Sequence, residues 1–192
     1  MDVFAAIAKR HSYRGPYKPQ PVPREDLRRI VQAGLQAPSG RNMQTTSFVI
    51  VDDPPLVRRI AALHATNTAV QQAQAFIACC VDRQPQPVYE GHHFQVEDCA
   101  AAVENMLLAI TALGYASVWI DGWLRLENHA ETIGNLLGLP PAKAVRILLP
   151  VGAPAETWPQ KDKKPFEART FFNRYGRHTA SEPLSPRGEG QG

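Results

Sequence analysis

The chain has 192 residues, 44% apolar and 20% charged, with a formal net charge of +3. That length permits one domain with a sizeable core, and the composition excludes the disordered and fibrous classes. A mild charge without a basic stripe gives no footprint for nucleic acid, although it suits a small anionic ligand. Cys79, Cys80 and Cys99 offer neither a disulfide framework nor zinc-ligand spacing, and they read as core thiols of a reducing compartment. No apolar window approaches the roughly 18 residues of a membrane span. The start "MDVFAAIAKRHS" lacks the pattern of a secretory signal, so a cytoplasmic protein without a membrane partner is expected.

In chain order, Val3, Phe4, Ile7 and Ala8 predict a short amphipathic helix over 2–9. "SYRGPYKPQPVP" is too rich in proline for a helix and reads as extended chain. Leu27, Ile30, Val31 and Leu35 form the stripe of a second helix over about 24–36, with Glu25 and Asp26 at its positive end. "SFVIVDD" predicts a strand and 56–63 a short helix. "AFIACCVD" is almost continuously apolar, which predicts a strand in a sheet covered on both faces.

After the loop "RQPQPVYEGHHF", residues 97–113 predict the longest helix, apolar around most of its circumference. Such a helix belongs at the centre of the fold or in a subunit interface. "YASVWI" predicts a third strand, 129–137 a helix capped by Asn128, and "AVRILLPVG" a fourth strand. "FEARTFFNRYG" predicts a short final element, and residues 179–192 a flexible polar tail. Strands and helices that do not strictly alternate indicate an α+β layered fold.

Three clusters carry groups suited to a phosphate or a heteroaromatic ring. The first, "KRHSYR", holds Arg10, His11, Ser12 and Arg14. Arginines give paired donors to phosphate oxygens, and a serine hydroxyl adds another. The second, "APSGRNMQ", holds Pro38, Ser39, Asn42 and Gln44, whose amides both donate and accept, as the edge of a flavin ring requires. The third, "PQKDKKPFE", holds Lys161, Lys163 and Lys164. Each alone also fits an ordinary role: a basic helix end, a self-satisfied polar turn, a solvated charge run. His92 and His93 are adjacent on a loop and lack the spacing of metal ligands.

The order "RHSYRGPY", "APSGRNMQ", "ALGYASVWIDG", "VGAPAE" resembles the nitroreductase family of flavoenzymes over about residues 2–175. The resemblance implies an α+β nitroreductase-like layered sheet with flanking helices and an intertwined homodimer holding FMN at its interface. It implies one FMN-binding domain over 1–178, with phosphate contacts from Arg10, His11, Ser12 and Arg14 and from Lys161 or Lys163. The flavin ring would meet Pro38, Ser39, Asn42 and Gln44 of the partner subunit's loop, the segment Trp119, Ile120, Asp121 and Gly122, and Asn67. Thr45 stands where family members often carry proline. The implied activity is ping-pong transfer of hydride from NAD(P)H through FMN to an electron-poor acceptor such as a nitroaromatic or a quinone. The flavin carries that chemistry, and no side chain is assigned as a catalytic group. Two other functions share the pattern: a specialised flavin reaction on the same fold, and a flavin-binding sensor without turnover.

Overall fold

The structure, a computed structural model, describes residues 1–177; the expected tail over 179–192 lies outside them. Two compact units are present, Met1–Pro159 and a second that begins at Gln160. The first contains α1 (Val3–Lys9), α2 (Arg24–Leu35), β1 (Ser47–Val51), α3 (Pro54–Ala61), α4 (Thr68–Gln71), β2 (Ala75–Asp82), α5 (Gln95–Ala112), α6 (His129–Leu136) and β3 (Lys143–Val151). The second contains a 3₁₀ turn at Phe166–Ala168, with the Phe166 and Phe172 rings 6.4 Å apart.

β2 explains the layering. It is the middle strand of an antiparallel sheet in the order β1-β2-β3, and every residue but its last is buried. Strand geometry sends alternate side chains to opposite faces. Phe76, Ala78 and Cys80 therefore enter one core, with residues of α3, α4 and α6 and with Tyr13 and Tyr17. Ala75, Ile77, Cys79 and Val81 enter the other, against α2 and α5. A strand covered on both faces needs apolar residues at every position, which is why "AFIACCVD" shows no alternation. The three cysteines are free and buried, as expected of core thiols. Burial pushes the Cys80 thiol up to about 11.

The helix starts follow their caps. Asp53 accepts from the Leu56 N–H at 3.0 Å, and Pro54 and Pro55 occupy first-turn positions that need no donor. α3 thus begins two residues before its apolar stripe suggests. α4 is a single turn that periodicity did not reveal; Asn67 starts it by accepting from the N–H groups of Ala69 and Val70 at 3.1 and 3.4 Å. Asn128 does precede α6, but it is left-handed at φ 58° and its side chain makes no capping bond.

The strand expected at "YASVWI" is reduced to two isolated bridges, Ala116 to Gly152 and Ile120 to Leu148. Their common register puts Val118 opposite Pro150, and proline has no N–H to donate. The Tyr17 hydroxyl occupies the gap, within 3.1 Å of the Ala116 carbonyl and 3.3 Å of the Pro150 carbonyl. The Ser117 carbonyl turns away and accepts from the Tyr13 N–H at 2.9 Å. Among the described residues, no helix is long and apolar enough to cross a membrane.

Candidate functional site

The segment after α1 is extended and held at both ends. Tyr13 N–H binds Ser117, and Lys18 N–H donates to the Ala153 carbonyl at 2.9 Å. Extended chain alternates its faces. Tyr13, Gly15 and Tyr17 are buried, whereas Arg10, Ser12 and Arg14 share the outward parity. Gly15 belongs to the buried set, since a Cβ there would lie 2.8 Å from the Trp158 ring. The segment thus offers two guanidinium groups and a hydroxyl along one face. The Arg10 Nε sits 3.3 Å from a Glu104 carboxylate oxygen on α5.

A cavity of about 260 Å³ opens beside this segment, with Arg10, His11, Tyr13, Tyr115, Ser117 and Trp158 in its lining. His11 Nδ1 donates to the Lys9 carbonyl at 2.9 Å. Its Nε2 is buried without a partner among the described residues, and so is the Ser117 hydroxyl oxygen. Two polar atoms of this kind in one cavity suit a ligand bearing hydroxyls. Tyr115 closes one side; burial and its 2.8 Å bond to Asp26 push its hydroxyl up to about 12.

The amide-bearing loop lies elsewhere. Pro38, Ser39 and Gln44 line a separate pocket with Thr45, Thr46 and Asp98, and none of them lines the Arg10 cavity. Arg41, Asn42 and Gln44 are all left-handed, with φ of 47°, 57° and 51°. Gln44 N–H donates to Ser39 Oγ at 3.0 Å, and Gln44 Nε2 to the Asn42 carbonyl at 3.3 Å. Gly40 backs onto Phe94, where a Cβ would approach Cδ2 to 2.8 Å. The Arg41 guanidinium rests 4.8 Å from the Tyr89 ring centre. Tyr89 belongs to a tight hairpin within the expected loop "RQPQPVYEGHHF": it bridges His92 across left-handed Glu90 and Gly91.

The 119–122 segment divides its side chains. Trp119, partly buried, packs against the α2/α5 core, and Ile120 is buried in the other. The Asp121 carboxylate accepts from Arg125 at 2.7 and 3.0 Å and also from Arg146 of β3. Burial pushes its carboxyl up, but the bonds from Arg125 and Arg146 outweigh this and hold it below the ordinary value of 3.8. Arg146, distant in sequence, was not singled out by any motif. Gly122 has open space where a Cβ would stand. Trp123 lies stacked between His64 and His129, with ring centres 4.5 and 4.0 Å away. Asn67 uses its side-chain oxygen to cap α4. Lys161 and Lys163 are exposed in the second unit.

The model of the nitroreductase family matches residues 7–87 and 65–153. A protein of Archaeoglobus fulgidus is 32% identical over 158 residues, covering 82% of this chain and 86% of its own length. The NADPH-flavin oxidoreductase of Vibrio harveyi is 29% identical over 164 residues, 81% of this chain and 67% of that one. The crystal structure of nitroreductase A from Vibrio parahaemolyticus superposes with a TM-score of 0.75 at 27% identity, covering 96% of this chain and 79% of that one.

Proposed function

Since this chain belongs to the nitroreductase family, we propose that it is an FMN-dependent oxidoreductase carrying reducing equivalents from NAD(P)H to an electron-poor acceptor, a nitroaromatic or a quinone. The observation that carries this reading is the shared outward face of Arg10, Ser12 and Arg14 beside a cavity with two unpartnered polar atoms. Bound FMN would supply the two-electron chemistry in a ping-pong cycle, with donor and acceptor using one place in turn. Arg10 and Arg14 would neutralise the phosphate with paired donors, and Ser12 would add a hydroxyl. His11 and Ser117 would satisfy hydroxyls of the sugar chain. Asn42 and Gln44 would match the alternating donors and acceptors of the ring edge. Positive charge near that edge would stabilise the reduced ring electrostatically. The resemblance also assigns one of Lys161 and Lys163 to the phosphate, as a point charge.

The active form is a homodimer in this reading. One chain keeps its phosphate-type cluster and its amide loop in different cavities, as expected if each loop serves the neighbouring copy. α1 also leaves Val3, Phe4 and Ile7 exposed by 58%, 79% and 52%, an apolar face on a seven-residue helix. Phe4→Asp should therefore sediment as a monomer at concentrations where the parent chain is a dimer. Sedimentation as an unchanged dimer would place the interface elsewhere.

Anaerobic stopped-flow tests the activity. The FMN-loaded protein should bleach within the mixing experiment when NADPH or NADH is added, and recover its yellow colour with a quinone. FMN bound without bleaching would indicate a flavin-binding protein without turnover.

A further inference from the structure

We infer that Asp98 is the positioning residue of the amide-bearing loop, fixing it through two hydrogen bonds so that Asn42 and Gln44 meet the flavin ring. The inference rests on the FMN reading proposed for this chain. Asp98 lies in the first turn of α5 and is only 8% exposed, a rare position for a carboxylate with no cation on it among the described residues. Its two oxygens take different donors from the loop: the Gly40 N–H at 2.9 Å on one and the Thr45 hydroxyl at 3.3 Å on the other. An ionised carboxylate is acceptor-only, so both donors match it. The positive end of α5 offsets its charge.

The two bonds land on either side of Arg41, Asn42 and Gln44. Those three residues hold a left-handed backbone that side-chain-bearing residues adopt reluctantly. A stretch so strained keeps one shape only when its ends are fixed, and Asp98 fixes both from a single rigid helix. Gly40 makes the close approach possible, because any side chain there would meet Phe94. Thr45, which departs from the family's frequent proline, supplies the second donor, and proline has none. In this chain the loop is held by a hydroxyl-to-carboxylate bond at that position.

FMN titration of the purified full chain, with variants in a double-mutant cycle, tests the inference. Asp98→Ala should weaken FMN binding about tenfold, as loss of a charge-assisted bond does. Asp98→Asn keeps an acceptor for Gly40 and should fall between parent and alanine. In a background of Asn42→Ala and Gln44→Ala, Asp98→Ala should add almost nothing to the loss of affinity. Combined with Arg10→Ala it should add in full. A merely structural Asp98 would lower affinity equally in both backgrounds, and that outcome overturns the inference. So would unchanged affinity in Asp98→Ala while Asn42→Ala and Gln44→Ala bind FMN poorly. A parent chain that takes up no FMN would overturn the functional reading and this inference with it. Should Asp98→Ala fail to fold, the same cycle run with Asp98→Asn separates the two outcomes in the same way.

Discussion

Phe76→Ala is expected to lower folding stability by about 3–5 kcal/mol, the range for truncating a sealed aromatic. Phe76 is completely buried in the middle strand, opposite Val51 of β1 and Pro150 of β3. Its ring enters the core shared with α3, α4 and α6, where close packing turns a deleted ring into a cavity. Pro150 has no N–H for the 115–120 segment, and the Tyr17 hydroxyl that spans this gap belongs to the same core as Phe76. Urea unfolding at one fixed protein concentration measures the loss, since association makes stability concentration-dependent. A loss below about 1 kcal/mol would contradict the sealed core.

Arg10→Ala should weaken FMN binding by about 1.5–3 kcal/mol, roughly 10- to 150-fold in Kd. Arg10 also pairs with Glu104, but their side chains are 22% and 50% exposed. Such a pair contributes at most about 1 kcal/mol to stability, so its loss alone should cost the fold little. Glu104 would then face the phosphate without its partner, which adds repulsion to the lost bonds. Arg10→Lys should recover only part of the affinity, because an ammonium restores charge without the paired donors. Fluorescence quenching of FMN on titration measures all three proteins, and equal affinities would remove Arg10 from the phosphate site.

The sequence made legible whatever depends on near neighbours. The apolar runs at Ser47–Val51, Ala75–Asp82 and Lys143–Val151 became the three strands, and the stripe of Leu27 and Ile30 became a core-facing helix. The motif order located the family and the basic and amide clusters. What it hid depends on partners far along the chain. Asp98 and Gly40 are 58 residues apart, and Arg146 and Asp121 are 25 apart. The strand at "YASVWI" fails because Tyr17 and Pro150 meet it in space, and the spacing within those six residues carries no trace of that. α4 escaped because one turn is too short to show a period. Trp119, expected beside the ring, is partly buried and packs against the α2/α5 core, a contact that no local pattern announces.

In the proposed dimer each flavin site takes its cationic cluster from one chain and its amide loop from the other. Mixing subunits measures this directly. One preparation carries Arg10→Ala and the other carries Asn42→Ala with Gln44→Ala; each alone should bind FMN weakly. After dissociation and reassociation together, a mixed dimer concentrates every lesion in one site and leaves its second site intact. Tight FMN binding should then reappear at one flavin per mixed dimer, with parental Kd. If both sets of residues served the same chain, every site in the mixture would stay damaged, and the absence of any tight site would contradict the shared interface.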